Sequence, residues 1–151
     1  MTLTFRKLHP HFAAEVSPLD LRQAYDHETL SQIQEGMDEY AILIFRDQAF
    51  SDDEHLAFGQ RLDGQLHTKT GISAFQKSRL GNEALADVSN IDANGEVQKS
   101  DDRRRMYGLG NRLWHTDASF QDPPGRYSML FARVIPPVAA DTEYADMRAA
   151  Y

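Results

Sequence analysis

The chain contains no cysteine. That excludes disulfides and thiolate-bound zinc or iron–sulfur sites, so any metal must be held by N and O ligands. Long apolar runs are missing too. The longest, Ala41 to Phe45, is far short of a membrane span, and Met1-Thr2-Leu3-Thr4-Phe5-Arg6-Lys7 lacks the apolar core of a signal peptide. A soluble, cytoplasmic protein is expected. Nor is there a basic excess: the formal net charge is −7 and the pI is near 5.3. The charge balance offers no footprint for nucleic acid or an anionic membrane surface, which leaves a small molecule as the default partner. No repeat, low-complexity tract or Gly/Ser-rich linker divides the chain.

What is present fits one folded domain over residues 1–151, with 41% hydrophobic and 10% aromatic residues. Pro18 to Tyr40 reads as helical, with Leu21, Tyr25, Leu30, Ile33 and Met37 near helical spacing and a break at Asp26-His27. Ala41 to Arg46 has the pattern of a buried, central strand. Ser51-Asp52-Asp53-Glu54 fits a capping box opening a helix that runs to about Arg61. Residues 63–83 form a polar stretch too long for an idle connection, which suits a lid or substrate loop.

Further along, Leu85 to Ile91 reads as a strand followed by turn chemistry at Asp92-Ala93-Asn94-Gly95. A second polar loop carries Arg103-Arg104-Arg105, read as solvated and given no role. Leu113 to Phe120 reads as a strand or strand end, and Arg126 to Ile135 as a long apolar strand stopped by Pro136-Pro137. Asp146 to Tyr151 opens a helical turn. Helices first and strands later suggest α+β with a β core.

The chemistry concentrates at Leu113-Trp114-His115-Thr116-Asp117. On an extended chain His115 and Asp117 share one face, with Thr116 directed away. An imidazole nitrogen and a carboxylate oxygen suit a divalent first-row metal, and one more His would complete the facial triad of non-haem Fe(II) oxygenases. The spacing alone also fits a structural His hydrogen-bonded to its acidic neighbour.

Context separates these readings. Leu113-Trp114-His115-Thr116-Asp117-Ala118-Ser119-Phe120, then Arg126-Tyr127-Ser128-Met129-Leu130, Asp141-Thr142-Glu143 and Asp146-Met147-Arg148-Ala149-Ala150-Tyr151 follow in order. Together they resemble the taurine / 2,4-dichlorophenoxyacetate family of Fe(II)- and 2-oxoglutarate-dependent dioxygenases, nearer the herbicide-degrading branch. The likeness extends back through Ala86-Asp87-Val88-Ser89-Asn90 and Leu43-Ile44-Phe45-Arg46 to Leu8-His9-Pro10, and is thinnest over 64–82.

The resemblance implies a double-stranded β-helix, a jelly-roll core with flanking helices, of which only the N-terminal half is present. It implies His115 and Asp117 as iron ligands, Thr142 as a hydrogen-bond donor to 2-oxoglutarate, and Asn111 and Ser119 as substrate contacts. His67 matches a substrate-facing loop histidine only weakly, and a solvent-exposed His is the simpler reading. Where the family often has two glycines before the Asp-Thr pair, this chain has Ala139-Ala140, which take positive φ less freely.

The implied activity is hydroxylation of an aryloxyacetate such as 2,4-dichlorophenoxyacetate, giving a phenol and glyoxylate while 2-oxoglutarate and O2 yield succinate and CO2. Taurine or another alkylsulfonate is the alternative substrate. A non-catalytic jelly-roll binding module and a metal-dependent isomerase or ring-cleaving enzyme are the competing classes. A homo-oligomer is compatible with the family. No His follows His115, so the second His and the 2-oxoglutarate arginine are expected downstream of Tyr151, and this stretch alone is expected to be inactive and prone to aggregate.

Overall fold

The computed structural model describes residues 1–68, 79–138 and 141–151, so Ala139-Ala140 and residues 69–78 of the polar stretch 63–83 lie outside the described residues. Two units are distinguished, one of Met1–Gly64 with Leu130–Tyr151 and the other of Gln65–Met129.

In the first unit, β1 (Thr4–Lys7) and β2 (Ala14–Ser17) pair antiparallel, and β3 (Leu43–Ile44) adds parallel to β2 through Ala14↔Leu43 and Glu15↔Ile44. Ala14 and Val16 alternate inward and are buried, while the carboxylate of Glu15 gathers Arg6 at 2.9 Å and Arg46 at 3.1 Å. Helix α1 (His27–Tyr40) starts where the Asp26 side chain accepts the Thr29 amide, and ends where Ala41 turns left-handed at φ 60°. That turn delivers the chain into β3. Helix α2 (Asp52–Asp63) has the full reciprocal capping box of Ser51 and Glu54 and ends at Gly64, φ 78°.

Ile33 of α1, Phe58 and Leu62 of α2, and Leu3, Val16, Leu21 and Ala24 are buried and form the apolar core. Polar side chains tie the layers at backbone groups. Gln34 donates to the Leu62 carbonyl at 2.6 Å, and Arg61 donates to the Ala24 and Leu21 carbonyls at 3.1 and 3.2 Å while lying 4.2 Å from the Tyr25 ring centre. Arg148, paired with Asp146, donates to the carbonyls of Asp38 and Glu39 in the last turn of α1, a favourable place for a cation. Phe50, His55, Phe58 and Phe131 form an aromatic cluster, flanked by an ion pair between Asp52 and Arg133.

Several sequence expectations hold: the break before His27, the capped helix α2, and a 3-10 turn Met147–Ala149 capped by Asp146. Others are corrected. Ala41 to Arg46 is not a central strand: only Leu43–Ile44 pairs, half-buried at the sheet edge, because Ala41 is used in the helix cap. The β1–β2 hairpin went unanticipated. The arginine run is not loop but begins α3 (Arg103–Gly108). Leu85 to Ile91 is no strand; it contributes a single bridge, Ile91↔Val97, around the Asp92 turn. Leu113 to Phe120 and Arg126 to Ile135 are not paired strands either. Among the described residues no strand takes their amides and carbonyls, and Leu130, Val134 and Ile135 stay exposed. What forms is a small three-stranded sheet with helices. Among the described residues, no helix is long and apolar enough to cross a membrane.

Gly36 lets α1 approach β1: a Cβ there would sit 2.3 Å from Phe5 Cε1, on a ring stacked against Tyr40 with centres 5.6 Å apart. Gly36→Ala is therefore expected to lower the thermal midpoint, since overpacking of about 1 to 3 kcal/mol outweighs a helix-propensity gain of about 1 kcal/mol. In a Phe5→Ala background the same change should stabilise. Melting curves of the four proteins check the pair; a Gly36→Ala gain with Phe5 intact refutes the contact.

His55 is half-buried in the aromatic cluster, and burial lowers its pKa below the ordinary 6.5. The unfolded chain then holds the proton more readily, so this residue's contribution to stability is full above the unfolded value and declines as pH falls through it. A His55→Phe variant should show a flatter stability profile from about pH 7 to about pH 5 than its parent. Parallel profiles in denaturant titrations would contradict this.

Candidate metal centre

The second unit builds its site from the backbone outward. A 3-10 turn, Leu109–Arg112, closes with the Leu113 amide on the Gly110 carbonyl, after which Leu113 is extended. His115 follows, with Nδ1 2.7 Å from the Leu113 carbonyl oxygen. A carbonyl only accepts, so Nδ1 carries the proton, and in the neutral ring Nε2 keeps its lone pair. Nε2 lies 3.3 Å from Asp117 Oδ1.

The chain then turns tightly. Ala118 is left-handed, φ 53°, and its carbonyl accepts the amides of Gln121 at 3.2 Å and Gly125 at 3.3 Å. A Cβ on Gly125 would lie 3.0 Å from that of Ala118, which explains a glycine at this close approach. The Thr116 hydroxyl donates to Ser119 Oγ at 2.8 Å, away from the ligand pair. Ser128 Oγ donates to the second oxygen of Asp117, Oδ2, at 2.6 Å.

His115 and Asp117 therefore converge although no strand carries them. Their side chains are 46% and 54% exposed, open enough for an ion or a substrate to reach. Two donors about 2.1 Å from one ion at a right angle stand about 3.0 Å apart, so the observed pair has a suitable bite with the hydrogen-bonded Nδ1 fixing the ring. The donor set of one imidazole and one carboxylate fits a divalent first-row metal. Among the described residues no group of three potential ligands gathers.

The other predicted site residues are placed as follows. Asn111 is exposed within the 3-10 turn before the pair, and Ser119 is exposed and engaged by Thr116. Thr142 is exposed in the first unit. His67 is half-buried rather than free in solvent, in an open cavity of about 340 Å³ that it lines with Leu66, Phe120 and Gln121. Gln121 also donates to the Thr68 carbonyl at 3.2 Å. Sequence reasoning missed Ser128 as a site residue: its separation from Asp117 has no periodic signature, and only folding brings the two together.

Comparison with known proteins gives a consistent pattern. The family model for "Taurine catabolism dioxygenase TauD, TfdA family" matches residues 4–151. The alpha-ketoglutarate-dependent 2,4-dichlorophenoxyacetate dioxygenase of Cupriavidus pinatubonensis is 42% identical over 151 residues, covering 100% of this chain and 52% of that protein. The protein of the same name from a Burkholderia species is 40% identical, covering 100% of this chain and 50% of its own. The chain thus spans about half the length of the curated relatives it matches. Among solved structures, AAD-2 in complex with Mn(II) and N-oxalylglycine superposes with a TM-score of 0.64 at 34% identity, covering 82% of this chain and 39% of that one.

Proposed function

The chain belongs to the TauD/TfdA family of dioxygenases, and from that premise we propose that it forms the metal-binding N-terminal part of an Fe(II)- and 2-oxoglutarate-dependent enzyme acting on an aryloxyacetate such as 2,4-dichlorophenoxyacetate. The observation that carries the reading is the pair of lone-pair donors, His115 Nε2 and Asp117 Oδ1, 3.3 Å apart with the other ring nitrogen held by Leu113. The substrate class rests on the two relatives of 40% identity or more, whose names state that activity.

In this reading His115 and Asp117 hold the iron, Thr142 donates a hydrogen bond to 2-oxoglutarate, and Asn111 and Ser119 meet the substrate. Bound iron and 2-oxoglutarate would supply the oxidising chemistry with O2 as the oxidant: one oxygen atom would enter succinate as 2-oxoglutarate loses CO2, and the other would hydroxylate the aryloxyacetate, whose product collapses to a phenol and glyoxylate. The protein's own part is orientation. The Leu113 carbonyl sets the imidazole tautomer, and the turn around Ala118 aims the carboxylate.

For the whole enzyme we infer the family's double-stranded β-helix and a cytoplasmic setting. The exposures of Leu130 at 65%, Val134 at 82%, Ile135 at 77% and Val138 at 78% support it, being high for apolar side chains in a finished core.

The test is made on the full polypeptide that carries this segment. With Fe(II), 2-oxoglutarate and 2,4-dichlorophenoxyacetate it should release a phenol and form succinate, and His115→Ala should cut that rate by roughly 100-fold or more, about 3 kcal/mol of transition-state stabilisation. Undiminished turnover in His115→Ala would refute the ligand assignment, and succinate formed with taurine but not the aryloxyacetate would refute the substrate. Thr142→Ala is expected to raise the KM for 2-oxoglutarate several-fold with kcat nearly unchanged, the pattern of a lost binding contact. An unaltered KM would remove Thr142 from the site.

A further inference from the structure

Asp117 has two oxygens, and they are used differently: Oδ1 faces His115 Nε2 at 3.3 Å, whereas Oδ2 accepts the Ser128 hydroxyl at 2.6 Å. We propose that Ser128 is a positioning residue that fixes Asp117 as a one-oxygen ligand, leaving Oδ1 for the metal. This rests on the metal-binding reading above.

A free carboxylate beside a divalent cation can bind through one oxygen or chelate through both, and side-chain rotation exchanges the two modes. A short O–H···O⁻ bond to one oxygen opposes both chelation and rotation. The consequence matters for a site that must keep positions open, because a chelating Asp117 would occupy one more coordination position than the chemistry leaves free. Hydrogen bonds to ligating carboxylates also orient them, and losing such a partner costs about 10- to 100-fold in metal affinity.

The geometry gives Ser128 few other tasks. It is exposed, so its hydroxyl is not satisfying a buried group. The turn between the two residues is closed by backbone bonds of Gln121 and Gly125 to Ala118 and by Thr116 to Ser119, none of which involves Ser128. Removing the hydroxyl should therefore leave the turn in place and free only the carboxylate.

Mn(II) is the probe, added to the full polypeptide without O2 or substrate, with free Mn(II) read by electron paramagnetic resonance. Ser128→Ala is expected to raise the Mn(II) dissociation constant about tenfold or more, and Ser128→Thr, which keeps a hydroxyl, to bind like the parent. The thermal midpoint of metal-free Ser128→Ala should equal the parent's, which distinguishes lost positioning from lost folding. Equal affinity in Ser128→Ala and parent overturns the proposal, as does an equal loss in Ala and Thr variants. His115→Ala is the companion: if it weakens Mn(II) binding while Ser128→Ala does not, only the role of Ser128 fails. If His115→Ala has no effect, the metal-binding reading itself fails.

Discussion

An extended segment becomes a strand only when a neighbour takes its amides and carbonyls, and that constraint divides this chain into what is built and what is only prepared. β2 has a neighbour on each side, β1 and β3, and around it the molecule buries Ala14, Val16, Ile33 and Phe58. The pairing depends on a reversal at the end of α1, where Ala41 accepts a left-handed conformation that costs an L-residue about 1 kcal/mol or more. The Ala13 amide donates to the Tyr40 carbonyl and the Ala14 amide to the Ile42 carbonyl, so the same reversal that ends the helix starts the parallel pairing. Without such partners, residues such as Val134 and Ile135 have the composition of strand but not its hydrogen bonds.

The proposed metal ligands escape this constraint because short-range contacts hold them. Among the described residues the bonds that orient them are local: Leu113 to His115, Ala118 to Gln121 and Gly125, Ser128 to Asp117. The imidazole and the carboxylate are aimed by a turn, not by a sheet face. This replaces the simple expectation that two residues on one side of a strand present their side chains together. The outcome is the same convergence, reached through the left-handed Ala118 and the Gly125 approach.

Much of this was legible in the residues themselves. Ser51 and Glu54 announced α2 because a capping box is read from four consecutive positions, and the helical spacing after Asp26 announced α1, whereas the helical reading of Pro18 to Asp26 yields only a 3-10 turn, Leu21–Gln23. The hairpin β1–β2 was not, since four-residue strands carry too few alternations to register as a period, and Thr4–Lys7 exposes most of its side chains. The arginine run reads as loop by charge, yet arginine is a good helix former and α3 uses it as one. At the proposed site, His115 and Asp117 stand out by type and spacing and fold to 3.3 Å from one another, whereas Asn111 and Ser119 rest on the family resemblance alone. Ser128 was not, because its role exists only once the turn at Pro123-Pro124-Gly125 folds it back.

Local ordering of the ligand pair has a further physical consequence. A site whose first two donors are already aimed loses little conformational entropy when an ion arrives, so binding there is governed by what supplies the remaining donors. A metal joined to the pair fixes residues 115–117 to whichever segment carries the third ligand. The hydroxyl of Ser128, by holding Asp117 in one rotation, keeps the second of those donors aimed before an ion arrives.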